Sequence, residues 1–166
     1  MSKHEKLLNN RKSFIYKNKP NFSIFGIGDY SFKPYKIAIS GLYKIPHFSL
    51  ILPEKDKCLM LDDTCYFLSF DDIETALFTW CILTDKNVYD LLKAISFLDA
   101  KRPYTKEILM RISIDKLANE KSFDEIHEKI INLKINILPN LNYDSWEKYL
   151  TSFEKFKILN RQTSLF

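Results

Sequence analysis

Three glycines and three cysteines among 166 residues leave little material for the commonest ligand-binding devices. Cys58, Cys65 and Cys81 are odd in number and have no CxxC spacing, which excludes a paired disulfide framework and the usual zinc-ligand pattern; reduced core residues are the expectation. No apolar run approaches the roughly 20 residues that a membrane span needs. The opening residues, MSKHEK, lack the apolar segment of a signal peptide, so a cytoplasmic location is expected. His4, His47 and His127 fall in separate elements, with no Ser or Cys beside them in a recognisable nucleophile pattern.

The glycines Gly26, Gly28 and Gly41 all lie in one stretch, FSIFGIGDYSFKPYKIAISGLYK, from Phe22 to Lys44. A dinucleotide fingerprint needs GxGxxG opening a helix, and a P-loop needs GxxxxGK followed by Ser or Thr; neither is present. After Gly26-Ile27-Gly28 come Asp29-Tyr30-Ser31-Phe32, then Lys33-Pro34 and a strand-like run. The helix N-terminus whose free N–H groups would hold phosphate is missing. The glycines fit a tight turn or bulge between strands.

What the chain does have is apolar residues, aromatics and an uneven charge. With 46% hydrophobic and 14% aromatic residues it is long enough for one compact core. The net charge is only +4, but residues 1–50 hold nine Lys or Arg against Glu5 and Asp29, a surplus of seven, which leaves −3 for the remainder. A basic portion joined to a mildly acidic one is the asymmetry of a module that turns one face to a polyanion; solvated surface lysines are the plainer alternative.

Periodicity predicts an α+β fold: a small, mainly antiparallel β-sheet with packed helices and a C-terminal helical hairpin. Residues 3–13 suit a short amphipathic helix, broken by Asn18-Lys19-Pro20-Asn21. Strands are expected at Phe22–Phe25, Lys36–Tyr43, His47–Leu52, Cys58–Leu61 and Thr64–Phe70, all rich in β-branched and aromatic residues and too closely spaced for crossover helices. Asp71-Asp72 offers an N-cap to a helix running to about Thr84, with Ile73, Ala76, Leu77, Trp80, Cys81 and Leu83 as its stripe. Further helices are expected at Asn87–Phe97, Lys106–Ile112, Phe123–Leu138 and Tyr143–Asn160. The organisation expected is an α+β domain over residues 1–115 and a helical extension over 116–166.

Two segments interleave cations with rings. Tyr30, Lys33, Tyr35, Lys36 and Lys44, with Phe32 and Tyr43 between them, alternate ammonium groups suited to phosphate with rings that pack on sugar or base. Phe32 and Tyr43 equally suit a core. In Asp99-Ala100-Lys101-Arg102-Pro103-Tyr104, proline fixes the backbone while Lys101 and Arg102 project side by side; a capped helix-to-helix corner, with Arg102 paired to Asp99, is the alternative. Carboxylates for a metal-dependent nuclease can be drawn from Asp62-Asp63 or from Asp144, Glu147 and Lys148, but a turn and an amphipathic helix explain them more simply.

The Phe22–Lys44 stretch, followed by LDDTCYFL (Leu61–Leu68) and DAKRPYTKEILMRI (Asp99–Ile112), resembles the C-terminal region of adenine-specific, S-adenosylmethionine-dependent DNA methyltransferases of restriction–modification systems. The blocks stand in that family's order and together cover about residues 10–115. In such enzymes this region follows the catalytic domain and acts as a target-recognition domain, so the resemblance implies double-stranded DNA as partner, with Tyr30, Lys33, Tyr35, Lys36, Lys44, Lys101 and Arg102 as DNA-binding residues. The family's glycine-rich cofactor motif and its Asn-Pro-Pro-Tyr type motif, which holds the flipped adenine, have no counterpart here. Asn18-Lys19-Pro20-Asn21 lacks the second proline and the aromatic. The resemblance therefore implies no catalytic residue and no cofactor in this chain, with S-adenosylmethionine held by a missing catalytic domain, and a split-off subunit, a truncated product or an excised piece as the chain's origin. A separate methyltransferase catalytic chain is then a partner to expect. A non-catalytic protein-interaction module is the competing class.

Overall fold

A computed structural model describes residues 2–20, 23, 26–133, 135 and 139–163. Three antiparallel strands form the sheet: β1 (Tyr35–Ser40), β2 (Phe48–Ile51) and β3 (Cys65–Phe70), in the order β2-β1-β3. Around them lie α1 (Glu5–Asn9), α2 (Ile73–Leu83), α3 (Lys86–Ile95), α4 (Lys106–Leu109), α5 (Ile114–Asn119), α6 (Phe123–Ile131) and α7 (Tyr143–Thr163). The α+β class expected from periodicity is the one observed. Among the described residues no helix is long and apolar enough to cross a membrane.

β1 is central and buried on both faces. Ile37 and Ile39 pack on one side with Phe48, Leu83, Val88, Leu92 and Tyr104, while Lys36 and Ala38, on the other, are also buried. Its register pairs Ile37 with Leu50 on β2 and with Leu68 on β3. The expected strand at Cys58–Leu61 does not form. Pro53 follows β2, and the chain instead closes a tight turn in which Glu54 and Lys57 exchange backbone hydrogen bonds of 3.0 Å in both directions. Lys55 and Asp56 hold φ of 49° and 62°, the left-handed pair that such a two-residue turn requires. β1 also stops at Ser40, short of Tyr43, although Gly41 N–H still donates to Thr64 O at 2.9 Å. Most of the strand expected at Phe22–Phe25 lies outside the described residues.

α2 starts where local chemistry says it should, with the Asp72 carboxylate accepting from Thr75 N–H at 2.7 Å. It is not a one-sided surface helix. Leu77, Phe78, Cys81 and Ile82 are enclosed by Ala118 of α5, Ile126 and Ile130 of α6, and Leu141, Trp146 and Tyr149 at α7, while Leu83 reaches the sheet cluster. The C-terminal helices therefore share a core with α2, and each fully buried large apolar side chain there contributes about 1.5–3 kcal/mol. Phe78, Trp146 and Tyr149 form a ring cluster with centroids 5.1–5.4 Å apart. Burial pushes the Cys81 thiol up to about 12, and also raises the Tyr149 phenol, whose oxygen lies 3.0 Å from Thr79 Oγ1. Cys58 and Cys65, expected in the core, are only half-buried; all three thiols are free.

α5 is a helix that the periodicity did not suggest, and α6 is shorter than Phe123–Leu138 because it caps at Asn132. At the start of α6, Ser122 and Glu125 hydrogen-bond each other's backbone N–H, the reciprocal cap that fixes this helix entry.

Candidate nucleic-acid interface

The Gly26-Ile27-Gly28 turn leads into a single 3₁₀ turn, Asp29–Phe32. Gly26 takes φ of 75°, a left-handed value suited to glycine, and its carbonyl accepts from the Tyr30 hydroxyl at 2.6 Å. At Gly28 a Cβ would stand 2.9 Å from Tyr30 Cε1, so the second glycine makes room for that ring. The Tyr30 ring in turn rests on Phe67 of β3, with centroids 5.7 Å apart. The two glycines thus serve a turn that opens a 3₁₀ turn, and among the described residues no strand precedes it for the hairpin that was expected.

The basic residues of the first segment fare differently from one another. Lys33 forms an ion pair with Asp71 at 2.6 Å and keeps about a third of its side chain exposed. Tyr35 is half-buried at the start of β1. Lys36, expected to hold a phosphate, has no exposed surface and donates Nζ to Lys33 O at 2.7 Å. Strand alternation does point it away from Ile37, but that face of the sheet is covered, with Ser31 of the 3₁₀ turn also buried. Lys36 is thus a tie within the fold in this conformation.

Lys44 joins the two segments. Its ammonium donates to the carbonyls of Leu98 and Ala100, the latter at 3.1 Å, and the Lys44 carbonyl accepts from the hydroxyl of buried Tyr104 at 2.8 Å. This brings the loop after β1 against the corner between α3 and α4, across 54 and 56 residues of chain. Arg102 reaches neither Asp99 nor a helix end. It donates to Asp63 O at 3.1 Å and to the Asp63 carboxylate at 3.5 Å. Lys101 is exposed. Around these cations stand Tyr43, Ile45 and Phe97, 67%, 74% and 76% exposed. The expected residues consequently fall into two groups: Tyr30, Lys33, Tyr35 and buried Lys36 at the start of β1, and Lys44, Lys101 and Arg102 beyond its end. A six-residue strand at about 3.3 Å per residue separates them by roughly 20 Å.

Asp62, a candidate metal ligand in the sequence, shapes the turn into β3. It accepts from Thr64 Oγ1 at 2.5 Å and Thr64 N–H at 2.9 Å, and the Thr64 side chain foremost holds its carboxyl below the ordinary carboxylate value. Asp144 and Glu147 are exposed on α7. Sequence reading missed Ile45 and Phe97, and it named Asp63 as a possible metal-site carboxylate and not as the partner of Arg102. Isolated apolar residues in loops carry no periodic signal, and the partner of Arg102 lies 39 positions away.

Among known proteins, the type II methyltransferase M.NspV of Nostoc sp. is 50% identical to this chain over 118 residues. The chain carries a methyltransferase-related region. That region amounts to 71% of the chain but 25% of M.NspV, so the match spans about a quarter of the relative's length. No family model matches the chain, and no solved structure does.

Proposed function

We propose that these residues are the DNA-binding target-recognition part of an adenine N6 DNA methyltransferase of a restriction–modification system, acting in the cytoplasm with the catalytic motifs supplied from outside them. The observation that carries this reading is the 50% identity to a type II methyltransferase over a segment without an Asn-Pro-Pro-Tyr type motif or a glycine-rich cofactor motif. Gly26-Ile27-Gly28 leads into a single 3₁₀ turn and not into the helix N-terminus that holds phosphate in a glycine-rich cofactor motif; the cofactor and the chemistry would belong to a separate catalytic region, with which this chain would act. Double-stranded DNA is the partner. Lys3, Lys6, Lys12, Lys17 and Lys19 are exposed on the basic portion, and Lys101 with Tyr43 supplies a cation and a ring on the loop-and-corner surface.

In this reading Lys101 and Lys33 position phosphate. Arg102 reads a base edge after exchanging Asp63 for guanine, a bidentate contact worth about 1–3 kcal/mol at one base pair. The test is duplex binding by the chain, alone and mixed with the catalytic portion of a homologous enzyme, across a salt series. Affinity is expected to fall with salt at a log–log slope of about −0.9 per neutralised phosphate, and Lys101→Ala is expected to flatten it by roughly one contact. Absence of a DNA shift at low ionic strength in both mixtures would refute the proposal. That result would favour a protein-interaction module, which one observation supports: Lys44 and Arg102 are tied to protein groups on the surface that exposes Ile45 and Phe97.

A further inference from the structure

β3 forms one edge of the sheet, and among the described residues no strand pairs with its outer side. In the register that sets Ser40 against Cys65, Gly41 stands opposite Thr64 and donates to its carbonyl at 2.9 Å. Hydrogen-bonded pairs recur every second position, so Ile39/Tyr66, Ile37/Leu68 and Tyr35/Phe70 carry the β1–β3 ladder. The N–H and C=O groups of Phe67 and Ser69 therefore face away from β1, and among the described residues they have no backbone partner outside the ladder. Two hollows of about 390 and 420 Å³ share Phe67, Leu68 and Ile114 as lining, so space lies along this strand, and Leu68 is 43% exposed.

Sheet edges left to solvent are normally blunted by a lysine, a proline, a bulge or shortness. β2, the other edge, is four residues long and lies between Pro46 and Pro53. β3 is six residues, Cys-Tyr-Phe-Leu-Ser-Phe, with neither charge nor proline. Its charges sit instead at its ends, as Asp62-Asp63 before it and Asp71-Asp72 after it. Arg102 and Lys33 each pair with one of these, Asp63 and Asp71, whose side chains remain 91% and 77% exposed. Asp62 accepts from neighbouring Thr64 and Asp72 from Thr75, so each end of the edge presents two carboxylates beside one ion-paired cation. A second copy pairing antiparallel about Phe67 would set Asp63 against Asp71 and Asp62 against Asp72, an arrangement of like charges that disfavours self-pairing.

We infer that the outer edge of β3 accepts an extended strand from a partner polypeptide, apolar in its middle and carrying Lys or Arg at both ends. Phe67 and Ser69 supply the main-chain hydrogen bonds, and the two aspartate pairs select the flanks. This surface meets the loop-and-corner surface at the Asp63–Arg102 pair, and its strand pairing does not require DNA.

The test uses the full chain, isotope-labelled, with a short synthetic peptide alternating Val and Thr between two Lys at each end, and a second peptide with Glu in place of Lys. The Lys-ended peptide is expected to slow amide exchange at Phe67 and Ser69 and to bind about tenfold more tightly than the Glu-ended one at low salt, the gap closing as salt screens it. Phe67→Pro removes an outward N–H and abolishes binding. Because that change also threatens the strand, the double variant Asp63→Asn with Asp71→Asn is the second arm, and it narrows the preference between the peptides while both still protect the same amides. Equal affinity for the two peptides, or failure of the Lys-ended one to protect Phe67 and Ser69, overturns the inference. So does a concentration-dependent dimer that protects those amides, which would make a second copy the occupant.

Discussion

Replacing Asp85 by Asn tests how the α2–α3 corner is fastened to the helices that follow. The Asp85 carboxylate does two things: it caps α3 by accepting from Asn87 N–H at 2.9 Å, and it pairs with Lys121 at 2.7 Å, 36 residues away in sequence, just before α6. Side-chain exposures of 18% and 23% place this pair between an exposed surface bridge, worth about 0.2–1 kcal/mol, and a buried pair, whose breakage costs about 3–5 kcal/mol. Asn retains the cap but leaves the Lys121 ammonium partly buried and unpaired, so a loss of about 2 kcal/mol is expected. For a chain of this size that lowers the melting temperature by about 4–8 °C.

The pH dependence supplies the refutable part. Burial by itself would raise the Asp85 carboxyl, but the Lys121 and Asn87 hydrogen bonds and the Lys121 charge outweigh it and hold the group below its ordinary value. A lowered carboxyl contributes stability that is complete above its unfolded pKa, about 4, and is lost as pH falls through the folded one. The Asp85 hydrogen bond foremost raises Lys121, whose contribution is complete below its unfolded pKa and lost as pH rises through the folded one. The Asp85→Asn deficit in urea denaturation is thus expected to be flat from about pH 5 to 9 and to shrink at both extremes. A deficit under about 0.3 kcal/mol at neutral pH, or one that persists undiminished in acid, refutes the reasoning, as does a double-mutant cycle with Lys121→Met that gives no coupling.

Two further outcomes are expected. Trp146→Ala, which empties space between Phe78 and Tyr149, should cost about 3–5 kcal/mol and appear as one cooperative transition covering sheet and C-terminal helices; two separate transitions in calorimetry would mean that the C-terminal helices fold apart. Lys44→Met removes the donor to Leu98 and Ala100 and should speed amide exchange across Phe97–Arg102 while leaving α2 protected; unchanged exchange at that corner would mean that the Lys44 contacts carry none of its order.

Features set by near neighbours could be read directly. The Asp72 cap and apolar stripe of α2, the Asn18 break with its φ of 64°, and the three strands of the sheet each depend on a few adjacent residues whose conformational preferences act within a turn or a pleat. Cys58–Leu61 has strand-like composition too, yet it joins no edge of the sheet, and composition could not decide that because pairing depends on where the chain runs after the Glu54–Lys57 turn.

The cations of the interface mark the same division. The sequence by itself determined that a basic, aromatic segment and an Asp99–Tyr104 corner exist, and that Lys36 lies opposite Ile37 on a strand. Only the tertiary structure decided that the Lys36 face is covered, that Lys44 clasps the corner and that Arg102 meets Asp63, because each depends on chain segments meeting in space rather than on the residue's own neighbours. A lysine on a strand carries no local mark that says whether it will find phosphate, water or a carbonyl; the packing of the rest of the chain around it makes that choice.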